Sequence, residues 1–228
     1  MRIVIAGAHG QVARRLGRLL SVRGDTVVGI IRNPDHAPDL ESDGVRPAVL
    51  DLESTTVEEL ADVVRDADAV VFAAGAGPGS GEARKHTVDH GAAVLLADAA
   101  ERVGVRPYVL VSSMGVEQAR EGTPPGVDPV MAVYLQAKLR AEDEVLPRET
   151  LATTVLRPGG LTDDPGTGRV TLGHGVAYGS VPRDDVAAVL VALLDARHDG
   201  AVVELVGGDT SIAEAVGALP WTSPGARG

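Results

Sequence analysis

Short β-branched runs alternate along this chain with stretches of helical periodicity, and most runs close on glycine, proline or a small polar residue. Arg2 to Ala6, Thr26 to Ile31, Val45 to Leu50, Ala69 to Ala74, Pro107 to Val111, Thr153 to Leu156 and Ala201 to Val206 read as strands. Between them, Gln11 to Arg23, Thr56 to Arg65, a long segment through Val103, the segment holding Tyr134, and Asp184 to Ala196 carry apolar residues at helical spacing. This alternation predicts an α/β fold, a doubly wound parallel sheet with right-handed crossovers and its ligand crevice at the carboxyl ends of the strands. With 228 residues, one principal domain is expected over 1–228. Residues from about 158 onward, a glycine-rich loop followed by the last sheet elements, are expected to supply a small substrate lobe.

Composition narrows the possible chemistry. Aromatic residues make up 2% of the chain, so the core must be built from small aliphatic side chains, and little is left for stacking single-stranded bases. The formal charge of −11 would repel a phosphate backbone and an anionic bilayer, so neither nucleic acid nor membrane is an expected partner. Absence of cysteine removes disulfide and thiolate chemistry. The first residues hold no secretory apolar segment, and a soluble cytoplasmic protein, monomer or homodimer, acting on a small molecule is expected.

Gly7-Ala-His-Gly10-Gln-Val-Ala13 follows the first strand and opens the first helix. In that context the spacing GxxGxxA is a dinucleotide turn of the Rossmann type. The first glycine permits the sharp turn, the second admits a pyrophosphate to backbone amides, and a small third residue lets helix and strand pack closely. Gly7, His9, Gly10, Gln11 and Val12 are the candidate contacts. Where an acidic residue at the end of the second strand would bind the ribose hydroxyls, Ile31 is followed by Arg32. A guanidinium there pairs a 2′-phosphate, with Arg14 or Arg15 as helpers, and predicts NADP (NADPH) as cofactor.

Tyr134-Leu-Gln-Ala-Lys138 places a tyrosine and a lysine one helical turn apart. With three tyrosines and two lysines in the chain, chance gives this spacing with a probability of about 3%. On one helix face, the Lys138 ammonium can approach the Tyr134 phenol and is expected to lower its pKa. The phenol could then exchange a proton with a substrate oxygen during hydride transfer.

Taken together, these residues resemble the short-chain dehydrogenase/reductases, and more narrowly the atypical, single-domain NmrA-like and epimerase-like members. The resemblance runs through GAHGQVA, Arg32, Asp51-Leu52, Ala73-Ala74-Gly75, VSSMG after the fifth strand, YLQAK, RPGGL and VPRDDVA. It implies that Asp51 and Leu52 lie by the adenine and that Ala73, Ala74 and Gly75 line the adenosine side. It places Pro158, Gly159 and Leu161 by the nicotinamide, and it makes Ser113 the holder of the substrate oxygen beside Tyr134, although Ser112 and Ser113 are not separable by sequence. The implied activity is NADP-dependent hydride transfer on a small carbonyl or alcohol. A transient-oxidation epimerase or dehydratase and a non-catalytic NADP(H) sensor are the alternatives. One position departs from the better-studied members: Thr87-Val88-Asp89 carries an aspartate where they place an asparagine, which would alter any relay to Lys138.

Other constellations are weaker. His86 and His90 sit one turn apart but no third ligand is indicated, so no metal is expected. There is no G-x-S-x-G elbow, and Asp163-Asp164 and Asp184-Asp185 read as capping or turn residues. His174 falls in the loop region that would border the substrate.

Overall fold

The computed structural model describes residues 1–77, 81–123, 126–196 and 200–220. Strand β1 (Arg2–Ala6) leads into α1 (Gln11–Arg23) and β2 (Thr26–Ile31); a 3-10 turn at Pro34–His36 precedes α2 (Ala37–Ser42), β3 (Arg46–Val49), α3 (Val57–Val64) and β4 (Ala69–Phe72). Next, α4 (Glu82–Arg84), a π-helical segment Lys85–Gly91 and α5 (Ala92–Val103) run on continuously, followed by β5 (Pro107–Val111), α6 (Pro129–Val145) and β6 (Ala152–Pro158). The remainder is β7 (Gly160–Thr162), β8 (Arg169–Gly173), β9 (Ser180–Pro182), α7 (Arg183–Ala196), β10 (Val202–Gly207), β11 (Thr210–Ser211) and α8 (Ile212–Gly217). Part of the glycine-rich GAGPGSG stretch and part of the loop before α6 lie outside the described residues.

Nine strands form one sheet in the order β11-β8-β10-β6-β5-β4-β1-β2-β3. From β3 through β10 the pairing is parallel, as expected, while β8, inside the stretch read from sequence as a loop, and β11, just before the last helix, add an antiparallel edge. Chain order reverses between β1 and β4, which opens the ligand crevice at that switch point. The strand period of two divides the core between the faces. Ile3 and Ile5 pack on the side of α1 and α7 with Leu16, Leu20 and Leu190, whereas Val4 and Ala6 pack on the side of α3, α5 and α6 with Leu60, Leu96 and Val145. Parallel strands buried on both faces explain the near-continuous aliphatic runs.

Local chemistry fixes the element ends that matter for the site. Gly24 closes α1 in the left-handed region at φ 96°, and Thr56 with Glu59 forms a reciprocal capping box at α3. Asp128 accepts from the Val130 and Met131 amides to start α6, with Pro129 in the first turn, where its missing N–H costs nothing.

Candidate active site

The residues singled out in the sequence converge on the carboxyl ends of β1, β2, β4, β5 and β6. Gly7 turns off β1 at φ 77°, and a Cβ built on it would lie 2.4 Å from the Ala74 Cα. Any side chain there would therefore push apart the two loops that border the switch point. Gly10 precedes α1 without a side-chain cap, so the first amides of a 13-residue helix are not claimed by a capping oxygen. The positive end of the helix dipole and those amides suit a pyrophosphate, and the close glycine cradle fits a dinucleotide. Behind the turn, Val12 packs against the core on the α1 face and Gln11 accepts from Arg15 at 2.8 Å.

Beyond the ends of β2 and β3, a carboxylate gathers several donors. Arg32 is exposed just after β2, and its Nη1 lies 3.1 Å from Glu53, a carboxylate that also accepts from Arg84 at 2.9 Å and from the Thr87 hydroxyl at 2.6 Å. The Thr87 hydroxyl leads, with Arg84 and Arg32, in holding Glu53 below the usual carboxylate range. Arg14 and Arg15, expected as helpers to Arg32, are engaged elsewhere: Arg14 Nε donates to Asp43 at 2.7 Å and Arg15 Nε to Asp184 at 2.7 Å. His9 stacks on His36 with ring centroids 3.6 Å apart and lies 2.8 Å from Asp39. Asp51 uses its carboxylate to accept from the Glu53 amide, building the turn after β3, with half-buried Leu52 beside it.

At the other end, Tyr134 and Lys138 share a face of α6, but the lysine turns inward. Lys138 Nζ donates to the Ala74 and Val111 carbonyls at 3.0 and 3.1 Å and lies 3.4 Å from Asp89 Oδ1. It thereby ties the end of β4 to the end of β5, and its nitrogen is 5.9 Å from the Tyr134 ring centroid. Asp89 is fully buried, and its other oxygen accepts from the Ala76 amide at 3.1 Å. The departure to aspartate at this position thus gives Lys138 a direct, buried ion-pair partner. Gly75 is the neighbour that permits this, since a Cβ on it would come within 3.1 Å of Asp89. Burial pushes Lys138 below the ordinary lysine range, and Asp89 opposes that shift.

The expected lowering of the Tyr134 pKa is reversed. Burial raises the phenol well above its ordinary value, the Asp89 carboxylate raises it further, and a hydrogen bond with Ser113 is the opposing influence. The physical reason is first burial, which penalises the phenolate, and then the Asp89 carboxylate, which also offsets the charge of Lys138. The structure also separates the two serines. Ser112 is buried and donates to Glu142 at 2.5 Å, while Ser113 is the one that meets Tyr134.

Glu142, on α6 two turns beyond Tyr134, was not picked out by any motif. It is 1% exposed, accepts from Arg157 Nε at 3.1 Å through both oxygens, and also receives Arg157 Nη2. Arg157 opens the RPGGL stretch, so this pair locks α6 to the end of β6. Pro158 is buried; a Cβ on Gly159 would strike the Gly179 carbonyl at 2.2 Å, and Leu161 is 41% exposed on the small β7–β9 sheet. Asp185, within the VPRDDVA stretch, accepts from the Thr167 and Gly168 amides and so holds a turn. His90 meets Glu144 at 2.7 Å; among the described residues no cluster of three or more metal-ligating side chains occurs, and no helix is long and apolar enough to cross a membrane.

Comparison with known proteins agrees with this geometry. The sequence model of a family described as NAD(P)H-binding matches residues 7–197. The chain is 33% identical to the uncharacterised sugar epimerase YhfK of Bacillus subtilis, over 95% of its own length and 99% of that protein. Among solved structures, it superposes with a TM-score of 0.85 on a Bacillus halodurans protein provisionally named an NAD-dependent epimerase/dehydratase, at 35% identity and covering 95% and 99% of the two chains. The oxidoreductase ylbE of Lactococcus lactis follows with a TM-score of 0.81 and 28% identity, covering 96% of each chain. A domain match over most of the chain, a doubly wound sheet and a glycine turn at its switch point place this protein in the NAD(P)H-binding family, among the atypical short-chain dehydrogenase/reductases.

Proposed function

We propose that this protein is an NADP-dependent oxidoreductase acting on a small carbonyl or alcohol compound, with Tyr134 exchanging the proton. The observation that carries this reading is the placing of Tyr134 beside Ser113, with the buried Lys138–Asp89 pair next to its ring, Lys138 Nζ lying 5.9 Å from the ring centroid. When bound, the dinucleotide supplies hydride. For the chain's own part, Ser113 orients the substrate oxygen and Tyr134 gives it a proton, so that hydride and proton together convert a carbonyl to an alcohol. A phenol held protonated by burial and by Asp89 carries the proton that a donor to the substrate oxygen needs. Lys138 and Asp89 act as positioning groups, holding the Ala74 turn against Gly7 and the end of β5 beside Tyr134.

Gly7, His9, Gly10, Gln11 and Val12 would hold the pyrophosphate, Asp51, Leu52, Ala73, Ala74 and Gly75 the adenosine, and Pro158, Gly159 and Leu161 the nicotinamide side. Arg32 is the residue that would select NADP, in competition with Glu53. From about residue 158 onward the chain would form the substrate side, where Leu161 and Tyr178 present exposed apolar surface.

A second reading, a non-catalytic NADP(H) sensor, is favoured by one feature: Lys138 spends its contacts on Asp89 and two carbonyls rather than on the phenol. A screen of NADPH oxidation across aldehydes, ketones, quinones and flavins, run on the parent and on Tyr134→Phe, separates the two. Turnover in the parent that the variant loses while still binding NADPH supports the reductase. NADPH binding with no oxidation of any compound by the parent supports the sensor.

A further inference from the structure

The chain has two lysines, and both end beside the same tyrosine ring. Lys138 is neutralised by Asp89. Lys85 is not. It opens the π-helical segment, is 7% exposed, and places its Nζ 5.5 Å from the Tyr134 ring centroid. Among the described residues it makes no ion pair and donates no hydrogen bond; the tyrosine face is its recorded partner. Asp89, further along the same segment, faces Lys138 instead.

This is unusual in a chain of net charge −11, where Arg14, Arg15, Arg18, Arg23, Arg32 and Arg84 each rest on a carboxylate. An ammonium withdrawn from water without an anion is costly, and a cation–π contact offsets only part of that cost. Among the described residues no carboxylate meets this ammonium. The position beside Tyr134 makes the substrate the natural source of one.

We propose that Lys85 anchors an anionic group on the substrate, a carboxylate or a phosphate, carried within a few bonds of the carbonyl that Tyr134 and Ser113 receive. The inference rests on Tyr134 facing the reacting carbonyl. It adds a binding contact and no covalent step. It also assigns the π-helical segment a task, since that segment delivers Asp89 to Lys138 and Lys85 to the phenol ring from one stretch of chain.

The test uses calorimetric titration of protein saturated with oxidised cofactor, so that ketone probes bind without turnover. Each anionic probe is paired with a neutral twin: pyruvate with pyruvamide, phenylglyoxylate with its methyl ester, and dihydroxyacetone phosphate with dihydroxyacetone. At least one anion should bind about tenfold or more tightly than its twin, as a charge-assisted contact implies. That preference should shrink to about twofold or less in Lys85→Met and be largely kept in Lys85→Arg. Lys85→Gln serves in place of Lys85→Met if the latter disturbs folding, checked by thermal melting and cofactor affinity. Which pair shows the preference distinguishes carboxylate from phosphate. No preference in any pair, or a preference that survives neutralisation of Lys85, overturns the proposal. Because no hydride moves, a Lys85-dependent preference in a protein that never oxidises NADPH would retain the anion site and refute the reductase reading. Oxidation without that preference would do the opposite.

Discussion

Replacing Glu142 by glutamine removes one charge from a buried ion pair, Glu142–Arg157, with almost no change of shape. The Glu142 carboxylate is 1% exposed and serves Ser112 and Arg157, while the second partner of Arg157, Glu117, has a side chain that is 53% exposed and lies 2.7 Å away. Breaking a buried pair by removing one member costs roughly 3–5 kcal/mol, because the survivor stays buried and uncompensated. Glu117 retains part of the compensation, so Glu142→Gln should cost about 2–3 kcal/mol and Glu142→Ala about 4 kcal/mol once lost packing is added. With a urea m-value of about 3 kcal/mol/M for a chain of this size, the glutamine variant should unfold at a midpoint about 0.7–1 M lower. Replacing both residues with methionine should recover most of the loss, since an apolar pair of similar volume is often as stable as the ions it replaces. A glutamine variant within about 0.5 kcal/mol of the parent, or a double variant as unstable as the two single losses added, would refute the reasoning. The pair joins α6, β5 and β6 near Tyr134 and Ser113, so the same substitution should also reduce turnover more than it reduces cofactor affinity.

Two further outcomes follow from the charges at the crevice and around it. Arg32→Ala should cost about 10–100-fold in NADPH affinity and little in NADH affinity, read by fluorescence titration; equal losses for both cofactors would remove Arg32 from cofactor selection. Asp39, Asp43, Glu53 and Glu117 are all held below their ordinary values. His9 leads for Asp39, Thr87 for Glu53 and Arg157 for Glu117, while at Asp43 burial pushes the other way and is outweighed by Arg14 and Arg18. Their folded pKa values lie below the unfolded ones, so their contribution is complete above about pH 5 and is lost as pH falls through the folded values. Urea midpoints measured from pH 8 to pH 3 should therefore stay level and then drop below about pH 4; a level profile to pH 3 would contradict the assigned pairs.

What could be read from sequence was what short-range pattern encodes. The parallel strands of the main sheet, α1, α7 and the glycine turn at Gly7 each declare themselves within a dozen residues, through β-branched runs, helical spacing and a turn whose geometry suits glycine. The antiparallel β8 was missed because Arg169–Gly173 is short, lies in a polar, glycine-rich stretch, and owes its place to pairing with distant β10. Tyr134 and Lys138 were legible as a pair, but their relation was not. A partner from the π-helical segment, Asp89, draws the lysine inward, and no spacing within α6 reveals that. The Glu142–Arg157 lock joins a helix to the following strand through a contact that sequence periodicity does not mark. Lys85 gave no signal at all, since its significance comes from lacking a carboxylate that its arginine counterparts have.

The central claim is that a dinucleotide seated on the Gly7 turn brings its nicotinamide to Tyr134. A crystal structure of the protein soaked with NADP+ measures this directly. The account predicts the nicotinamide C4 within about 5 Å of the Tyr134 hydroxyl, with the pyrophosphate over the first amides of α1. An ordered nicotinamide bound away from Tyr134, or a pyrophosphate held anywhere other than the start of α1, would contradict it.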